Sequence, residues 1–109
     1  MLLSGAGYAV DVAANGARAL ERAVASPPDV LITEIFMADG DGIELISAVK
    51  RARLDSRIIA ITARRFFGVL DLLDLAGRLG ADAVLDKPVK ADTLLANVAR
   101  LAESRARRD

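Results

Sequence analysis

Residues 29–42, with the sequence DVLITEIFMADGDG, decide how the rest of the chain is interpreted. The first part, residues 30–35, is a nearly continuous apolar run rich in β-branched residues, which is typical of a strand covered on both faces. Glu34 interrupts this run near its end, and an acidic, glycine-rich loop follows. The pattern therefore predicts a buried strand that presents one carboxylate, which could serve as a nucleophile, a metal ligand or a fixed charge.

Composition narrows the classes of function. With 109 residues, 53% of them hydrophobic, the chain has the size and the apolar content of one domain with its own core. Fifteen basic and fifteen acidic residues cancel, so net charge gives no attraction to nucleic acid or to an anionic membrane. The absence of cysteine and histidine excludes Ser-His-Asp, Cys-His and zinc-thiolate chemistry. Neither a signal peptide nor a long apolar segment is present, so we expect a cytoplasmic protein that does not bind a membrane. We expect no cofactor either.

Short apolar runs alternate with segments of helical periodicity. Strands are predicted at residues 8–13, 30–35, 57–62 and 82–85. A helical stripe follows each strand, and the third stripe consists of Val69, Leu72, Leu73, Ala76 and Leu79. This β-α order with short crossovers predicts a parallel sheet with helices on both faces.

In such a sheet the chemistry is expected at the carboxyl ends of the strands. The residues predicted there are Glu34 with Asp39 and Asp41, then Thr62, and finally Lys87. A carboxylate, a hydroxyl and an ammonium at one edge form a set that phosphoryl transfer to an acid would use. Simpler interpretations remain open: a hydroxyl that caps local backbone, a solvated lysine, and Asp-Gly pairs that form turns and hold no metal.

The chain resembles a response-regulator receiver domain of two-component signalling, which has a flavodoxin-like fold. Four segments carry the resemblance: AGYAVDVAANGARAL at 6–20, PPDVLITEIFMADGDG at 27–42, IIAITA at 58–63 and GADAVLDKPVKADTLL at 80–95. The resemblance implies that Glu34 stands at the phosphoacceptor position. It likewise implies that Thr62 is the switch hydroxyl, Lys87 the phosphate-pairing lysine with Pro88 after it, and Val84 the replacement for the switch aromatic.

Three departures from the receiver pattern accompany this match. The usual first strand, with its acidic pair for Mg²⁺, and the usual first helix are missing, so residues 1–103 are expected to form a truncated receiver-like domain, followed by a basic tail at 104–109. The acceptor is a glutamate, one methylene longer than aspartate, which displaces its oxygens from an in-line position. The switch aromatic is replaced by the smaller Val84.

We therefore predict a pseudo-receiver: a non-enzymatic protein-interaction module of a phosphorelay in which Glu34 is a permanent charge close to Lys87. Two alternatives remain open. In the first alternative, the chain is a genuine phosphoacceptor receiver whose start is misplaced or whose first strand is borrowed from a partner. In the second, it is a fragment without function.

Two features suggest association with an unidentified protein partner or with a second copy. Phe66, Phe67, Leu70 and Leu75 are predicted to form an exposed apolar patch, although the aromatics could instead fill space left by the missing elements. In the receiver order the missing strand lies between residues 8–13 and 30–35, so its loss leaves sheet edges unpaired. A homodimer is the predicted consequence, with exchanged strands as one way to form it.

Overall fold

The computed structural model describes residues 2–37, 40–63 and 66–106. In chain order the elements are α1 (Leu2–Gly5), α2 (Gly16–Ala25), β1 (Val30–Glu34), β2 (Phe36–Met37), β3 (Gly40–Asp41), α3 (Gly42–Arg51), β4 (Arg57–Thr62), β5 (Phe66–Phe67), β6 (Leu70–Asp71), α4 (Leu72–Leu79), β7 (Ala83–Asp86) and α5 (Ala91–Ala106). The strands β1, β4 and β7 form a parallel sheet, whereas β2–β3 and β5–β6 are short antiparallel hairpins.

The central strand β4 divides the core into two layers. Its side chains alternate, with Ile58 and Ala60 on one face and Ile59 and Ile61 on the other, and all four are buried. The first pair belongs to a cluster with residues of α3 and α4, and the second to a cluster with Val98 of α5. The predicted parallel sheet with helices on both faces is therefore confirmed.

The start of α4 differs from the prediction. Asp71 caps this helix by accepting hydrogen bonds from the backbone N–H groups of Leu73 and Asp74, so Val69 lies in the turn before it, fully exposed. Because the helix begins at Leu72, the stripe that faces the core includes Leu75, which packs against the α3–α4 cluster. The predictions that Val69 belongs to the core stripe and that Leu75 lies off it are wrong.

The strand predicted at residues 8–13 is absent, since the structure shows irregular backbone there. A cleft of about 610 Å³ separates this segment from β1. A strand is maintained by ladder hydrogen bonds to a neighbour, and residues 8–13 have no strand beside them within the described part of the chain. The apolar alternation is therefore present without the partner that would turn it into a strand.

The carboxyl-terminal helix continues to Ala106 and includes the described residues of the predicted tail, 104–106. Arg105 pairs with Asp29, and its Nε donates to the backbone oxygen of Asp55 at 3.1 Å. These contacts connect the last turn of α5 to the loops at the amino ends of β1 and β4. Among the described residues, no helix has the length and hydropathy needed to cross a membrane.

The start of α3 lies unusually close to the end of β1. A Cβ atom added to Gly42 would lie 2.0 Å from the backbone oxygen of Glu34. The Gly42 N–H donates to the backbone oxygen of Ile35 at 2.7 Å, which fixes the approach. Only a residue without a side chain fits here unless the backbone moves.

We expect Gly42→Ala to lower the free energy of unfolding by roughly 2 kcal/mol or more, because the new methyl group overlaps backbone and cannot rotate away. Gly77→Ala is the matched control, since outside its own helix no atom lies within 4 Å of the added Cβ, and alanine favours the helix. Urea denaturation measures both changes, and equal stability of the two variants would contradict the close approach.

Candidate functional site

Three segments end at the same level of the sheet and bring the predicted site residues together. Glu34 is the last residue of β1 and lies beside Ile61, while Thr62 ends β4 beside Asp86. The backbone N–H of Lys87 donates to the backbone oxygen of Thr62 at 2.8 Å, so the lysine follows directly at the end of β7. The register of the parallel strands therefore places a carboxylate, a hydroxyl and an ammonium at one edge.

The side chains of Glu34 and Lys87 form an ion pair in which Nζ of the lysine donates to Oε1 of the glutamate. Their side chains are 52% and 42% exposed, so water and salt screen the attraction. An ion pair this exposed contributes about 1 kcal/mol or less to stability. The pair therefore brings the two opposite charges together at the site and contributes little to the stability of the fold.

Thr62 lies deeper than either charged residue, with 2% of its surface exposed. It lines a cavity of about 100 Å³ together with Glu34, Phe36, Ile61, Ala63 and Lys87. This cavity is small, so it can admit a small group and not an extended ligand. Whether Thr62 acts as a switch hydroxyl stays a prediction.

Pro88 and Val84 have different surroundings. Lys87 and Pro88 are joined by a cis peptide bond, and Pro88 is exposed. Val84 lies beside Ala60 in the sheet and packs, partly buried, against the α3–α4 cluster. Val84 is thus a core contact in this structure and does not line the small cavity.

Phe36 is a residue of the cavity that the sequence analysis did not identify. It is 46% exposed and lies two residues beyond Glu34. Side chains two residues apart in extended backbone point to the same side, and the intervening Ile35 is buried in the core. The alternation of side chains along the strand indicates this position, but Phe36 follows the predicted strand 30–35 and falls in the predicted loop.

Within the part of the chain that the structure describes, no group of three or more acidic residues is arranged to hold a metal ion. Asp39 lies outside the described residues, as does the side chain of Asp41. Glu44 is exposed in the first turn of α3. That the Asp-Gly pairs of the acidic loop form turns and hold no metal therefore stays a prediction.

The apolar patch predicted before the third predicted helix, which is α4 in the structure, is retained in part. Phe66, Val69 and Leu70 are 53%, 104% and 43% exposed, and we call these three residues the hairpin surface. Phe66 therefore does not fill space in the core. Leu75 belongs to the core, as described above, and the side chain of Phe67 lies outside the described part of the chain.

Comparisons with known proteins agree with this geometry. Residues 1–99 match the response regulator receiver domain family. The acid tolerance regulatory protein ActR of Rhizobium meliloti (strain 1021) is 33% identical over 90 residues, which cover 83% of this chain and 45% of that protein. The chain thus spans less than half the length of this relative.

Solved structures show the same fold. A receiver domain protein from Methanospirillum hungatei JF-1 matches with a TM-score of 0.85 at 24% identity, covering 99% of this chain and 84% of that one. The beryllofluoride-activated NtrC4 receiver domain dimer matches with a TM-score of 0.83 at 28% identity, covering 95% of this chain and 84% of that one. With its flavodoxin-like sheet and a match over residues 1–99, the chain belongs to the response regulator receiver domain family of two-component signalling.

Proposed function

We propose that the chain is a pseudo-receiver, a cytoplasmic and non-enzymatic module that binds a protein partner without being phosphorylated. The observation that carries this proposal is the ion pair between Glu34 and Lys87, since the resemblance assigns the phosphoacceptor position to Glu34. Glu34 gives the site a negative charge that already contacts the ammonium of Lys87, and no phosphoryl group is needed to provide it.

The chemistry of phosphoryl transfer supports this interpretation. Transfer would require a carboxylate oxygen of Glu34 to attack phosphorus in line while the bond to the leaving oxygen breaks. Catalysis of that step depends on positioning and on cations that neutralise the developing charge. Here the longer side chain displaces the attacking oxygen, and the ammonium of Lys87 is already engaged by the carboxylate itself.

Incubation with acetyl phosphate and Mg²⁺ is expected to leave the intact mass of the protein unchanged. The longer side chain of Glu34 displaces the attacking oxygen, and the ammonium of Lys87 is already paired with the carboxylate. Mass spectrometry checks this directly. Glu34→Asp is the matched variant, since it keeps the charge and shortens the side chain by one methylene. A phosphoryl group on the native chain would overturn the proposal, whereas one on the aspartate variant alone would identify side-chain length as the block.

Glu34→Gln keeps the shape of the side chain and removes its charge. We expect the free energy of unfolding to fall by about 1 kcal/mol or less, since both partners of the pair are half exposed. The difference should shrink in 1 M salt, where the screening length is about 3 Å. Urea denaturation of the single variants and of the double variant with Lys87→Gln isolates the coupling between the two charges.

A loss well above 2 kcal/mol that persists at high salt would contradict an exposed pair and indicate a buried charge. A coupling of zero in the double-variant cycle would mean that the two groups do not interact in solution.

We further propose that the chain forms a homodimer through the hairpin surface. Three exposed apolar side chains of one short hairpin form a patch of the kind that usually marks an interface. A dimer is also the form in which the NtrC4 receiver domain was solved, which supports self-association of this fold without fixing its surface.

Light scattering coupled to size exclusion at micromolar concentration is expected to give twice the mass of the 11.5 kDa chain. Val69→Asp should shift the mass to that of the monomer, because it places a charge in the apolar patch. Val24→Asp is the control, since Val24 is also exposed, at 55%, but lies on α2. A monodisperse monomer of the native chain would contradict self-association.

A further inference from the structure

The carboxyl end of α3 carries three cations close together. Lys50, Arg51 and Arg53 are exposed, and within the described part of the chain none of their side chains forms an ion pair or a hydrogen bond. By contrast, Arg78 near the end of the neighbouring α4 pairs with Asp74. We call Lys50, Arg51 and Arg53 the basic corner.

Arg53 has an unfavourable backbone conformation. Its φ is 57°, and among the described residues it is the one non-glycine residue with a positive φ. This left-handed region crowds the Cβ atom, so a helix that ends there usually ends on glycine. The helix α4 follows this rule, since it ends on Gly80 with a φ of 124°.

The hydrogen bonds that end α3 require the conformation of Arg53. Its N–H donates to the backbone oxygen of Lys50 at 3.0 Å, and the N–H of Leu54 donates to that of Val49 at 3.3 Å. These two bonds are the pattern that ends a helix on a left-handed residue. They also turn Leu54 back onto the α3–α4 cluster, against which it packs. The geometry therefore favours glycine at position 53, where the chain has arginine.

The charge at the end of the helix does not explain Arg53. The carboxyl end of a helix carries roughly half a negative charge, which one cation in the last turn offsets. Lys50 and Arg51 already place two cations in the last turn of α3. A strained residue whose side chain forms neither a hydrogen bond nor an ion pair within the described chain needs a reason outside the fold.

Lys50 connects the basic corner to the end of α4. A Cβ atom added to Gly80 would lie 2.6 Å from Cε of Lys50, so the stem of the lysine lies directly against this glycine. A lysine can pack its stem on backbone in this way while its ammonium stays in water. The contact orders the side chain in advance, which lowers the entropy cost of binding.

The size of the basic corner selects the class of partner. Its residues span about one helical turn, or about 5.4 Å along the axis. Attraction to an anionic membrane uses clusters of about four to eight cations, and nucleic-acid binding commonly uses about six to ten phosphate contacts. Three cations instead match a short run of carboxylates on a polypeptide, and a planar guanidinium can bind both oxygens of one carboxylate.

We propose that the basic corner binds a short acidic segment of a protein partner, and that the guanidinium of Arg53 is a specificity-determining contact. The idea rests on the proposed interaction function, to which it adds the place of contact and the chemistry of the partner. An exposed ion pair changes a binding constant by about fivefold at most, so the corner supplies specificity and faster encounter more than affinity.

The probe is a capped peptide in which four glutamates alternate with serines. NMR spectra of the isotope-labelled full chain are expected to show saturable shifts of the backbone amides of residues 50–54 when this peptide is added at low salt. A peptide with glutamine in place of each glutamate should cause no such shifts. At about 1 M salt the shifts should disappear, because the screening length falls to about 3 Å.

Two substitutions of Arg53 separate its charge from its backbone strain. Arg53→Gln removes the charge and keeps the strain, so it should weaken peptide binding about two- to fivefold and change the thermal midpoint by less than about 2 °C. Arg53→Gly should weaken binding equally but raise the midpoint by about 3 °C or more, since glycine adopts this conformation without strain. Arg18→Gln is the control, because Arg18 is exposed on α2, and it should leave binding unchanged.

Four results would overturn the proposal. The first is the absence of saturable shifts at the basic corner, and the second is native affinity in Arg53→Gln. The third is no rise in the midpoint of Arg53→Gly, which would mean that Arg53 is not strained. The fourth is tighter binding of duplex DNA or phosphatidylserine vesicles to the corner, which would identify another class of partner. None of them changes the expected acetyl phosphate result, so failure of acidic-segment binding and failure of the pseudo-receiver proposal can be told apart.

Discussion

The register of β4 (Arg57–Thr62) between its two parallel neighbours determines where the other elements and the site residues lie. Ile58, Ile59 and Ala60 have no measurable exposure, so each face of this strand is committed to a different helical layer. A slip by one residue would exchange the two faces and break both layers. The same register sets Glu34 beside Ile61 and Lys87 beyond Thr62, and the site is assembled as a consequence of core packing.

The parts of the fold that could be predicted are those in which one sequence signal dominates. The runs that form β1 and β4 are continuous and apolar, and the rule that parallel strands present chemistry at their carboxyl ends places Glu34 near Lys87. The strand predicted at 8–13 is wrong because its apolar alternation describes a strand only if a neighbour is present. The leucine periodicity alone places the start of α4 too early, because the cap at Asp71 determines where this helix begins.

Features that depend on what covers a residue could not be read from the sequence. The exposure of the Glu34–Lys87 pair, which decides whether it is a strong or a weak interaction, depends on the layers above the strand ends. The close approach of Gly42 to the backbone of Glu34 is equally a property of how α3 meets β1. Glycine after an acidic residue predicts a turn, but not a contact that excludes a methyl group.

The permanent charge proposed for Glu34 would change how such a module is regulated. A switch requires two states and an input that favours one of them, and a charge that is always present favours the same state at all times. On this proposal the variable quantity is the occupancy of the proposed interaction surface, which depends on the concentration and the affinity of the partner.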